Sequence, residues 1–96
     1  MICVDDLTKV LSVSGSWKWP TSCHLFSDTD NTAELHRFAE KIGLKRQWFQ
    51  NHDHGVLPHY DLNAAKRDMA VQYGASEVSM RYMVEVMQKN RGKKCL

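Results

Sequence analysis

The sequence has no long apolar run, little net charge and few cysteines, and each shortage removes a class of protein. Its apolar runs last only a few residues. None can cross a bilayer, so no membrane partner is expected. The N-terminus lacks the basic segment and apolar run of a secretory leader, which makes the cytoplasm the expected location. Only three cysteines occur, Cys3, Cys23 and Cys95, and no two form Cys-x-x-Cys. An odd, unpaired set argues against a disulfide framework and a zinc knuckle, and reduced thiols are the simplest expectation. Thirteen Lys and Arg against eleven Asp and Glu leave a net charge of +2. That alone does not mark a nucleic-acid protein. Internal repeats and low-complexity segments are also missing.

What is present fits one domain of ordinary composition, with 43% hydrophobic and 25% charged residues in 96. Residues 1–88 read as a single α/β domain and 89–96 as a basic C-terminal tail, because Lys89, Arg91, Lys93 and Lys94 crowd there without an acid among them. Ile2-Cys3-Val4 reads as a buried strand that stops at Asp5-Asp6. Residues 8–21 read as a loop, broken by Ser14-Gly15-Ser16 and by Pro20. Ser22 to Phe26 is β-prone and leads into Ser27-Asp28.

Asn31 to Ile42 is the clearest helix. Asn31 can cap it, Leu35, Phe38, Ala39 and Ile42 form one apolar stripe, and Gly43 ends it. Gln47 to Gln50 reads as a third strand. Asp61 is expected to cap a second helix with a stripe of Leu62, Ala65, Met69 and Tyr73, ended by Gly74. Ser76 to Ser79 reads as a last short strand. Ser79 then caps a third helix with a stripe of Met80, Met83, Val84 and Met87, which runs out near Asn90-Arg91-Gly92. Strands alternating with helices predict a small, mostly parallel four-stranded sheet with three packed helices.

Between two of these helices lies the densest group of reactive side chains, Trp48 to Asp61, with three of the five histidines. A parallel sheet would gather the strand exits on one edge. That edge would carry Asp5 and Asp6, Asp28, the His-rich loop, and Ser79 with Arg81. Three helix N-termini there would suit an anion. The expected metal ligands are His24, Asp28, His36 and His59, since imidazole and carboxylate hold zinc, manganese or iron. The same groups, with Tyr60 and Asp61, form the expected catalytic set for proton transfer. Lys66, Arg67, Ser79, Arg81 and Trp17 are the expected substrate contacts, the cations neutralising charge and the tryptophan stacking on a base.

Cys-His-Leu-Phe-Ser-Asp-Thr (23–29), Glu-Leu-His-x-Phe-Ala-x-x-Ile-Gly (34–43), Trp-Phe-Gln (48–50), Pro-His-Tyr-Asp-Leu (58–62) and Gly-Ala-x-Glu-Val-Ser-x-Arg (74–81) together resemble a small bacterial and phage family, domain of unknown function 4031. The resemblance covers about residues 2–84. It implies that His24, Asp28, His36, His59, Tyr60 and Asp61 belong to a shared polar signature, and it implies no reaction. His52-Asp53-His54 falls outside the pattern. For a phage-encoded chain the expected location becomes the host cytoplasm.

Two functional readings follow. One is a hydrolase, metal-assisted or using a His–Asp pair, acting on a phosphate-containing substrate such as a nucleotide or nucleic acid, with zinc or manganese as the divalent ion. The other is a non-catalytic accessory protein that binds a nucleotide, a nucleic acid or a host protein. The mixture of His, Asp and Tyr favours the first, because a phosphate-binding patch is richer in Arg, Lys and Gly.

Overall fold

The computed structural model describes residues 1–10, 19–29, 31–50 and 57–94. Among these residues are five strands and three helices: β1 (Ile2–Val4), β2 (Thr8–Lys9), β3 (Thr21–Ser27), α1 (Thr32–Lys41), β4 (Tyr60–Leu62), α2 (Ala64–Gln72), β5 (Ser76–Glu77) and α3 (Met80–Lys94). A 3-10 turn covers Arg46–Trp48.

The α/β class is as expected, but the sheet is mixed and has five strands. Among the described residues only β1 and β5 run parallel. β3 pairs antiparallel with β1, β2 and β4. Three local features account for the difference from a mostly parallel four-stranded sheet. Thr8–Lys9, read as loop, is a strand that doubles back onto the start of β3. Gln47 to Gln50 is not a strand: its first half is the 3-10 turn, and only Gln50 makes a bridge, to His59. Tyr60–Leu62 is the strand beside β3, where Asp61 was expected to cap a helix and Leu62 to begin its stripe.

The helix signals in the sequence have clear counterparts. Asn31 Oδ1 accepts the Glu34 backbone N–H at 3.0 Å and caps α1. Gly43 and Gly74 follow α1 and α2 with φ of 83° and 107°, conformations that a Cβ disfavours. Ser79 Oγ accepts the Tyr82 N–H at 3.1 Å and caps α3. That helix continues through Lys94, beyond the expected stop and into the segment read as a tail. The cap of α2 is Asn63, whose Oδ1 accepts the Lys66 N–H at 2.8 Å, and not Asp61. Of the stripe expected for this helix, Met69 packs against the core. Ala70 is buried, while Ala65 and Tyr73 are exposed. On α3, Val86 is buried and Met83 and Met87 pack beside it, whereas Met80 is exposed.

Two apolar cores lie on the two faces of the sheet. One joins Val4, Cys23, Leu25, Tyr60 and Leu62 to Leu35, Ala39 and Ile42 of α1 and Ala70 of α2. The other joins Cys3, Phe26 and Leu57 to Val86 of α3. The period-two pleat explains the division, since Cys23 and Leu25 point one way and His24 and Phe26 the other.

Two stability measurements check this frame. Leu25 is fully buried at the centre of the sheet. Leu25→Ala is expected to cost about 2–5 kcal/mol in urea unfolding. Asn63→Ala should cost about 1 kcal/mol through loss of the α2 cap.

Candidate functional site

The register of β3 sets the site. Val4 lies beside Leu25, so one further step along the chain puts Asp5 beside His24. On the other side of β3, His24 pairs with Asp61. Asp5, His24 and Asp61 therefore form a row across three adjacent segments on one sheet face. His59 precedes Asp61 by two residues and shares its face.

Asp5 is completely buried. Its Oδ1 accepts the His24 backbone N–H at 2.6 Å, and its Oδ2 lies 2.8 Å from His24 Nδ1. A carboxylate only accepts, so Nδ1 carries the proton that it donates. His59 Nδ1 lies 2.7 Å from the Leu57 carbonyl oxygen. A carbonyl also only accepts, so this Nδ1 donates too. In its neutral form each imidazole therefore carries the lone pair on Nε2. The two rings meet edge to face, 4.8 Å between centroids. Asp61 completes the group: Oδ1 lies 3.4 Å from His59 Nε2, and Oδ2 accepts the Gln50 side-chain amide.

His59 Nε2 and Asp61 Oδ1 are thus two acceptors pointed at each other. Such a pair is unfavourable unless a positive charge, a proton or a metal ion, lies between them. Among the described residues, His24, His59 and Asp61 are the cluster with metal-ligand chemistry, with one ligand atom from each within 4.8 Å of the others. Ligands on a tetrahedral ion with bonds of about 2.1 Å sit about 3.4 Å apart. Side-chain movements of roughly an ångström would close the set. The His24 and Asp61 side chains are each 31% exposed and that of His59 is 9% exposed. The cluster therefore has a rigid floor and an open side.

Charge follows the geometry. The hydrogen bond to Asp5 raises the His24 pKa above its ordinary 6.5; burial opposes this, and the charges of Asp5 and Asp61 reinforce it. Burial pushes the Asp61 carboxyl up, but the hydrogen bond and charge of His59, with Gln50 and His24, leave it below the usual value.

The other expected ligands lie elsewhere. Asp28 follows the last residue of β3, along the strand from His24 and beside Met1. Its Oδ1 is 2.9 Å from the Met1 amine, and its Oδ2 accepts the Tyr82 hydroxyl at 3.2 Å. His36 and Tyr60 are on the opposite sheet face, joined Nδ1 to hydroxyl at 2.7 Å. Phe49 packs against both rings. Burial, then Arg46, lowers the His36 pKa, and burial raises that of Tyr60, so the pair is a neutral tie between α1 and β4. The expected four-ligand set of His24, Asp28, His36 and His59 is therefore not assembled; His24 and His59 remain and Asp61 joins them.

The expected substrate contacts are dispersed as well. Lys66 Nζ donates to the Ile42 carbonyl at 2.6 Å and closes the end of α1. Arg67 donates to the Asp5 backbone carbonyl at 2.9 Å and to Glu77 at 3.1 Å. Ser79 is a helix cap, and Arg81 is exposed beside Glu85. Trp17, like His52, Asp53 and His54, lies outside the described residues. Burial pushes the thiols of Cys3 and Cys23 up to about 11 and about 12, so neither is a ready thiolate.

Sequence reasoning placed Asp5 on the expected ligand edge but gave it no role, and left Gln50 and the Leu57 carbonyl out of the site. A signal for Asp5 was present: it directly follows the buried run Ile2-Cys3-Val4, where the next residue in register is also buried.

The fold and this cluster define a small mixed-sheet α/β domain with a His/His/Asp group on one sheet face. The family described as "Protein of unknown function (DUF4031)" matches residues 3–90, and the chain belongs to it. No curated protein and no solved structure matches the chain. Among the described residues no helix is long and apolar enough to cross a membrane.

The two histidine pairs give opposite pH signatures in the metal-free protein. His24 is raised, so its stabilising contribution is full below about pH 6.5 and lost as pH rises through its folded pKa. His36 is lowered, so its contribution is full above about pH 6.5 and lost as pH falls through its folded pKa. Urea unfolding across pH should show His24→Gln flattening the alkaline limb of the stability profile and His36→Gln the acid limb.

Proposed function

We propose that the protein binds one divalent transition-metal ion through His24, His59 and Asp61 and uses it for hydrolysis. The observation that carries this is the facing of His59 Nε2 and Asp61 Oδ1, 3.4 Å apart, with His59 Nδ1 already donating to Leu57. Two imidazoles and a carboxylate suit zinc, manganese or iron. Three protein ligands leave coordination positions open, which is the pattern of catalytic sites. An ion there would supply Lewis acidity toward water or a phosphoryl oxygen. His24 and Asp61 hold the solvent-facing side, while His59 and Asp5 keep the floor dry and fixed.

A phosphate ester, in a nucleotide or nucleic acid, is the proposed substrate class. It rests on the affinity of such an ion for phosphoryl oxygen, since Lys66 and Arg67 are engaged elsewhere. A second reading has its own support in the Asp5–His24 hydrogen bond. With Nδ1 held by a buried carboxylate, His24 Nε2 can act as a general base without an ion.

Elemental analysis of the purified protein should find one equivalent of zinc, manganese or iron. His24→Ala, His59→Ala and Asp61→Ala should each reduce it to background, while Asp28→Asn and His36→Phe should retain it. Metal-dependent cleavage of bis(p-nitrophenyl) phosphate should follow the same pattern. Wild-type protein that takes up no ion, or an ion that persists in all three alanine variants, rejects the metal site. Cleavage that persists after chelation would select the His24 base instead.

A further inference from the structure

We infer that Asp5 is the positioning residue of this site: it fixes which nitrogen of His24 faces a bound ion, without being a ligand itself. The inference rests on the metal reading and adds to it the source of the site's preorganisation.

Asp5 is unsuited to direct ligation. It is fully buried, and each oxygen is committed to His24, one to the backbone N–H at 2.6 Å and one to Nδ1 at 2.8 Å. Its backbone is held as well. Its N–H donates to the His24 carbonyl at 3.3 Å, and its own carbonyl accepts Arg67 Nε at 2.9 Å. A side chain that grips both the backbone and the ring of one residue restricts the ring's rotation about its side-chain torsions. It also places the proton on Nδ1, so the lone pair of neutral His24 is on Nε2, the nitrogen left for an ion.

The three ligands are supported by different means. His59 is held by the Leu57 backbone carbonyl, which no side-chain substitution removes. Asp61 is held by the Gln50 amide. His24 depends on a carboxylate, which also makes the imidazole a stronger donor to metal. Asn at position 5 can keep its oxygen on the His24 backbone N–H. It then turns an amide N–H₂ toward Nδ1, and that group cannot accept a proton. His24 is then driven to the other tautomer, with Nε2–H facing the ligand position.

Long-range ¹H–¹⁵N NMR of the metal-free protein, at a pH where His24 is neutral, reads the tautomer directly. Wild type should show Nδ1–H and Asp5→Asn should show Nε2–H. Zinc titration should show affinity reduced about 10- to 100-fold in Asp5→Asn. Wild-type His24 in the Nε2–H form overturns the inference without any variant, which covers the case that Asp5→Asn does not fold. A folded Asp5→Asn that keeps Nδ1–H, or binds zinc as tightly as wild type, also overturns it. Failure of wild type to take up zinc rejects the metal reading separately, and the tautomer measurement still decides whether Asp5 directs the His24 proton.

Discussion

The antiparallel register of β3 is the constraint on which the molecule turns. With Val4 against Leu25 and Tyr60 against Leu25 on the other side, the chain has no freedom over what comes next. Asp5 must meet His24, and His24 must meet Asp61. A slip of one residue would send these polar groups into the α1 core and bring Leu25 and Tyr60 out to the other face. The apolar packing that stabilises the sheet therefore also fixes the site's geometry.

Burying Asp5 is the least favourable feature of this arrangement. A carboxylate removed from water costs several kcal/mol unless matched by charge and hydrogen bonds. Its described side-chain partners are the N–H groups of His24; Arg67 reaches its backbone carbonyl instead. A protonated imidazole is the charge that would balance Asp5, in keeping with the upward direction of the His24 pKa. Under the proposed function an ion would take over that balancing role, with His24 neutral. Proton and ion would then compete for the same nitrogen, linking occupancy to pH.

The sequence made the helices legible and the sheet much less so. Caps and stops are local: Asn31, Gly43, Gly74 and Ser79 act within a few residues, and their chemistry reads directly. Strand direction is not local. Alternation of strands and helices suggested parallel pairing, but the short return through Thr8–Lys9 and the strand Tyr60–Leu62 made three of the four pairings antiparallel. Asp61 and Asn63 both have capping side chains, and choosing the first hid a strand. A period-two signal was nevertheless there, with His59 and Asp61 polar and Tyr60 and Leu62 buried. Of the candidate ligands, His24 and His59 lie close together, beside Asp61 from the catalytic candidates. Asp28 and His36 were misplaced because their positions depended on strand direction and sheet face.

The Leu57 carbonyl has a consequence for how substitutions would read across this site. His59 is oriented by a peptide group, so position 57 should tolerate any residue that fills the space beside Phe26 and Val86. His24 is oriented by a side chain, so position 5 depends on chemical identity. In a saturation library, tolerance at 57 would follow volume and tolerance at 5 would follow the ability to accept a proton, although both residues support neighbouring imidazoles.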